Sequence, residues 1–128
     1  MAKNTYQFGI LAEKIAMIFL RFKGYKILAW RYKNHFGEID IVAKKSRVII
    51  FVEVKARRSQ ASVEEILRPQ QLKRIKRSAE LFVAKNLQFQ NHDLRFDFIE
   101  VGKNPWGFLW PKHQKNFWEW QLRQETRK

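Results

Sequence analysis

The chain has no cysteine, so it forms neither disulfides nor thiolate metal sites. That absence fits a reducing compartment. No apolar run approaches the roughly 18 residues that a membrane-spanning helix needs. The opening Met1-Ala2-Lys3-Asn4 lacks the pattern of a secretory signal. A cytoplasmic protein without a membrane partner is the expectation. Repeats, low-complexity tracts and an interdomain linker are also missing. The 128 residues are expected to form one domain, 1–128, with an aromatic and basic C-terminal segment over about 112–128.

Negative charge is scarce. Only 12 Asp and Glu stand against 26 Lys and Arg, giving a formal net charge of +14. Such an excess draws phosphate polyanions through counterion release. An anionic membrane surface or a larger assembly would also suit the charge. Nucleic acid is the favoured partner.

Phe8, Leu11, Ile15, Ile18 and Phe22 recur at helical spacing and predict an amphipathic helix over 5–23, ended by Gly24. Strands are predicted over 25–32, 38–43 and 48–54. The last is a β-branched and aromatic run suited to a central strand buried on both faces. Residues 57–68 hold no clear period and read as a loop, with a turn of helix at 62–66. Pro69 is placed to open a second helix whose apolar stripe is Leu72, Ile75, Ala79 and Phe82. A strand follows over 94–101, with 106–110 as a candidate last strand and a helical tail from Lys112. This order predicts an α/β fold in which a central mixed sheet is flanked by helices.

Inside this basic chain, Gly37-Glu38-Ile39-Asp40 precedes Glu53-Val54-Lys55 by one hairpin. A loop of two or four residues centred on Ser46-Arg47 sets Asp40 opposite Glu53, and Glu38 opposite Lys55. Opposed side chains lie about 4.5–5.5 Å apart at Cβ. Two carboxylates at that distance repel by roughly 3 kcal/mol at an effective dielectric near 20. A divalent cation, a shared proton or a close lysine relieves the repulsion. Glu53 and Lys55 are two apart and project from one face. Two oxygen ligands beside an ammonium suit Mg2+ or Mn2+, which clamps phosphate and acidifies water. Lys55 then orients water or neutralises developing charge, and the Val54 carbonyl is a candidate to complete the metal shell. The alternative is a solvated salt-bridge ladder. Against it, Ile49-Ile50-Phe51-Val52 makes Glu53 emerge from a buried strand, where a charge needs a reason.

These residues resemble a known pattern. Gly37-Glu38-Ile39-Asp40 with Phe51-Val52-Glu53-Val54-Lys55 looks like the YraN-like family of small bacterial proteins. That family is similar to the restriction-endonuclease-like superfamily, which carries an Asp and then Glu-x-Lys on the next strand. Holliday-junction resolvases and tRNA-splicing endonucleases are related in fold. Gly9, Glu13 and Ala16 look like the family's first-helix pattern, and Gly24-Tyr25 like its helix exit. Arg95-Phe96-Asp97 resembles its later strand, and Trp110-Pro111 with Asn116 its C-terminal segment. The resemblance implies a three-layer restriction-endonuclease-like fold. It implies that Asp40 and Glu53 are catalytic metal ligands, that Lys55 is catalytic, and that Glu13 approaches the metal through water. Arg31 departs from the pattern by standing where the family has Asn. Gln70 and Gln71 stand where related nucleases often place an assisting Gln or Lys. Asp97 lies between Phe96 and Phe98, faces the other side of its strand, and reads as a structural salt-bridge partner.

Arg57, Arg58 and Arg68, then Lys73, Arg74, Lys76 and Arg77 on the second helix, form the candidate nucleic-acid surface. Such contacts position a backbone without reading sequence. Trp106, Trp110, Trp118 and Trp120 are expected in core packing or a dimer interface, ahead of stacking on bases. His35, His92 and His113 have no ligand spacing and read as surface or loop residues. The leading expectation is a metal-dependent endonuclease hydrolysing phosphodiesters in DNA, including branched or damaged DNA. A homodimer is expected by analogy with enzymes that cut two strands. The competing expectation is a non-catalytic nucleic-acid-binding module, or a partner-binding scaffold, that keeps the nuclease fold.

Overall fold

The computed structural model describes residues 2–57 and 69–117. The predicted helical turn at 62–66, the two arginines Arg58 and Arg68, both Trp118 and Trp120, and the tail after 117 lie outside the described residues.

In chain order come α1 (Ala2–Phe22), β1 (Lys26–Asn34), β2 (Gly37–Lys45), β3 (Val48–Ala56), α2 (Pro69–Lys85), a short 3-10 turn (Leu87–Phe89), β4 (Asp93–Lys103) and β5 (Leu109–Gln114). The strands lie in sequence order in one sheet, antiparallel except for the parallel pair β3–β4. Ile41, Ala43, Ile50, Val52 and Ile99 pack with α1. Val42, Ile49 and Phe51 pack with Ala79 and Phe82 of α2. β3 is central and contributes to both clusters, as its continuous apolar run predicts. Helix, mixed sheet and helix therefore make the expected three layers.

Gly24 ends α1. Its φ of +95° suits glycine. Its N–H donates to the Arg21 carbonyl, and the Tyr25 N–H donates to that of Leu20. This is the paired bonding of a Schellman cap, and Tyr25 and Leu20 meet in the same core cluster.

Expectations about α1 and the chain's end are corrected. The helix buries Ala12, Ala16, Met17 and Leu20, whereas Leu11, Ile18 and Phe22 of the predicted stripe are exposed. Alanines let the helix axis approach the sheet closely, so the smaller side chains decide which face is covered. Secondly, the last strand begins at Leu109, and Lys112 to Gln114 belong to it rather than to a helix. Trp106 and Trp110, expected in core packing or a dimer interface, are exposed, which corrects the first of these. His113, expected at the surface, is on β5 with a buried side chain.

Candidate active site

A two-residue turn joins β2 to β3, with Ser46 in the left-handed region at φ 54°. The ladder runs from Lys45 opposite Val48 to Ile41 opposite Val52. One further step in that register reaches Asp40 and Glu53. The ladder stops there. Asp40 Oδ2 instead accepts the backbone N–H of Val54 at 2.8 Å. Glu38 pairs across to Lys33 of β1 rather than to Lys55.

A break in the strand pattern helps to aim Asp40. Ile41 packs under α1, while Ile39 packs with the α2 cluster, although two residues apart should share a face. Their partners on β1 are Trp30 and Tyr32. Between those partners, Arg31 has a left-handed backbone at φ 56°. Asp40 thus sits where β2 changes faces.

Glu53 is pushed up to about 8 by burial, then by the negative charge of Asp40. Burial pushes Asp40 up to about 6, the Val54 N–H opposes this, and Glu13 and Glu38 add to it. Lys55 Nζ lies 4.0 Å from Glu53 Oε1, at the outer limit of an ion pair, and its charge lowers both acids. Without a metal, the pair therefore holds a proton near neutral pH.

Glu13 contributes its field but directs its carboxylate elsewhere. Its Oε1 accepts Trp30 Nε1–H at 2.7 Å and Arg31 Nε–H at 2.9 Å. That bond and the Tyr6 hydroxyl raise the Arg31 pKa. Among the described residues, no third His, Asp or Glu joins the acid pair in a ready-made ligand cluster.

An open cleft of about 360 Å³ lies on the α2 side of Glu53. Glu38, Gln70, Gln71, Arg74 and Ser78 line it with Glu53. Both glutamines singled out by the sequence therefore reach the cleft. Arg74 and Ser78 also line it; they stand three and seven residues after Gln71, a spacing that puts Gln71, Arg74 and Ser78 on one helix face. Lys73, Lys76 and Arg77 are exposed on α2, with Arg77 lying 5.9 Å from the centre of the Phe36 ring. Arg57, expected in an open basic loop, is instead buried and ion-paired to Glu100 at 3.3 Å. Its N–H also extends the pairing to β4 by donating to the Val101 carbonyl.

Asp97 lies on the opposite sheet face and is tied up structurally. It takes two bonds from Arg95, one contact from His113 Nε2 at 2.7 Å, and the Asn116 N–H at 3.1 Å. Burial pushes its pKa up, but the Arg95 and His113 bonds outweigh this and hold it below the usual carboxylate value. Lys23 Nζ meets His113 Nδ1 at 2.7 Å, which links the end of α1 to the same cluster.

The fold is that of an α/β protein with a five-stranded mixed sheet between helices, consistent with the three-layer, restriction-endonuclease-like kind. The chain belongs to the uncharacterised protein family UPF0102, the YraN-like family, which it matches over residues 12–101. A UPF0102 protein of Parvibaculum lavamentivorans is 37% identical over 114 residues, covering 89% of this chain and 83% of the relative. One from Mesorhizobium japonicum is 36% identical over 114 residues, covering 89% and 88%. One from Rhodopseudomonas palustris is 47% identical over 97 residues, covering 76% and 74%. Among the described residues, no helix is long and apolar enough to cross a membrane.

Proposed function

We propose that this chain is a metal-dependent endonuclease that hydrolyses phosphodiesters in DNA. The observation that carries the reading is the half-buried acid pair beside Lys55. Burial raises the proton affinity of both acids, and the charge of Asp40 raises that of Glu53 further, with Glu53 on the wall of an open cleft and a net charge of +14 on the chain. A structural role alone would not require two such carboxylates, because burying charge without compensation is costly.

The donor set fits Mg2+ or Mn2+. Hard carboxylate oxygens suit these ions, and a divalent charge would remove the mutual repulsion. Asp40 and Glu53 would hold the ion, with the Val54 carbonyl as a further donor. Bound there, it would supply positive charge against a phosphate and lower the pKa of water. Lys55 would orient the attacking water or offset charge gathering on the phosphate. The Val54 N–H fixes the Asp40 carboxylate, so its oxygens need little reorganisation. Gln70, Gln71 and Arg74 would meet the polyanion, and Lys73, Lys76 and Arg77 would extend its track along α2. Glu13, whose Oε1 is bonded to Arg31 and Trp30, acts on the site through its charge.

The test is a cleavage screen with Mg2+ and Mn2+ on linear, single-stranded, flapped and four-way DNA, and on RNA. Wild type is expected to cut DNA, while Glu53→Ala and Lys55→Ala do not. Absence of cutting throughout, or unchanged cutting in both variants, would overturn the reading. Salt-dependent binding without cutting in all three proteins would favour a non-catalytic module. The pairing of Glu13 with Arg31, which withholds a third acid from the site, is the observation on that side.

A further inference from the structure

We propose that the β4–β5 hairpin is a stacking platform for unpaired nucleobases, an inference that rests on the nucleic-acid reading above and names the part of the substrate this end of the sheet would hold. At its tip Trp106 is 80% exposed, Phe108 69% and Trp110 57%. Three large rings in water form an apolar surface that calls for a partner.

The tip is a closed turn. Asn104 Oδ1 accepts the N–H groups of Trp106 and Phe108, each at 3.0 Å. The Asn104 N–H donates to the Phe108 carbonyl at 2.8 Å, and the Gly107 N–H to the Asn104 carbonyl at 2.9 Å. Gly107 supplies the left-handed φ of +85° that the turn needs. The backbone therefore presents the rings on a fixed support.

Charge selects the partner. Residues 101–117 contain no Asp or Glu, while Lys103, Lys112 and Lys115 are exposed among the rings and along the adjoining strand. Glu100, opposite Lys112, is ion-paired to Arg57, so ring faces among these lysines complement bases joined by phosphates. Position agrees. β3 and β4 are parallel, with Glu53 beside Phe98 and Lys55 beside Glu100. β4 then continues to Lys103, so the tip projects beyond the same end of the sheet as the acids. At about 3.3 Å per strand residue, the tip is roughly 20 Å beyond Glu53 along the strand direction. That is about six nucleotide steps for a strand stacked at the duplex rise of roughly 3.4 Å, and fewer for an extended one. A strand with one phosphate at the acid pair thus reaches the rings with bases several steps away. Those bases must be unpaired, since a duplex keeps its base faces covered.

The experiment measures binding by anisotropy in chelator, so that no cleavage is needed. The ligands are a single-stranded oligonucleotide, the matching blunt duplex, and that duplex with a single-stranded overhang. Trp106→Ala with Phe108→Ala is expected to weaken single-strand and overhang binding about ten-fold or more, as loss of base stacking does, and to leave duplex binding unchanged. Trp106→Leu, which stays apolar but loses the ring, should weaken the same two ligands. Phe22→Ala removes a ring that is 88% exposed. It lies at the opposite end of the sheet, where Lys45 meets Lys23, and should change nothing. Circular dichroism checks that each variant is folded. Equal single-strand binding by wild type and the double variant overturns the platform, while the cleavage reading stands or falls separately on Glu53→Ala and Lys55→Ala. Equal weakening of all three ligands overturns the preference for unpaired bases. A wild type that binds none of them at low salt overturns the platform together with the nucleic-acid reading.

Discussion

Asp40 fastens its carboxylate to the backbone N–H of Val54, one step past the last ladder pair of β2 and β3. The same side chain thus finishes the hairpin and supplies one of the two acids. The two roles separate by substitution. Asp40→Asn keeps an acceptor for Val54 and, at pH 5 where folded Asp40 keeps its proton, should leave urea stability nearly unchanged while abolishing metal-dependent cutting. Asp40→Ala leaves that N–H without its acceptor and should cost about 1–3 kcal/mol as well. Equal stability of the two variants would count against the structural role.

The raised acids give a pH dependence of definite sign. In chelator, folded Glu53 keeps its proton up to about 8, whereas its ordinary value is 4.5. Asp40 behaves likewise up to about 6. The folded state binds more protons than the unfolded chain in this window, so stability is greatest below it and falls as pH rises through it. Thermal melts at pH 5, 6.5 and 8 should show a falling Tm, and Glu53→Gln should flatten the trend.

Metal should reverse that trend. The ion requires deprotonated carboxylates, so Mn2+ should raise Tm more at pH 8 than at pH 5, and chelator should remove the gain. A Tm indifferent to Mn2+ at pH 8 would argue that the acid pair is not a metal site.

Asp97 predicts the opposite sign in acid. Its depressed pKa contributes stability above the ordinary value of 3.8, and that stability is lost as pH falls through its folded value. Asp97→Ala strands Arg95 beside a buried histidine and should cost about 3–5 kcal/mol. Cleavage per folded molecule should be unchanged, which chemical denaturation combined with a cleavage assay would check.

Arg31 stands where the resemblance to the YraN-like family calls for Asn, and its left-handed backbone supplies a reason: Asn adopts that conformation more readily than most residues. Arg31→Asn should relieve the backbone while removing the ion pair to Glu13, so the net stability change should stay within about 1 kcal/mol. Freed of Arg31, Glu13 should tighten Mn2+ binding, measurable by calorimetry. Weaker binding would mean that Arg31 supports the site in some other way.

Much of this arrangement was legible along the chain. The register of β2 on β3 followed from a short polar turn between two β-prone runs, and α2 from Pro69 and the stripe ending at Phe82. The buried face of α1 was not legible by size, since Ala12 and Ala16 carry it. Nor could spacing foresee that Arg31 would claim Glu13, because that bond depends on how β1 crosses the helix. His113 looked like a surface residue until Asp97 and Lys23 met it from two other elements. Arg57 was misread because its partner, Glu100, lies on a strand distant in sequence.

The parallel pairing of β3 with β4 carries a consequence for the order of assembly. The hairpin bearing both acids closes over two residues, whereas β4 returns only after α2 has been laid down. Loop-closure entropy favours the local pair first. During refolding, pulsed amide exchange should therefore protect β2 and β3 before β4. The acids would meet before α2 and the aromatic hairpin exist to receive a polyanion, so a half-made chain would carry the chemistry without the means to hold a substrate.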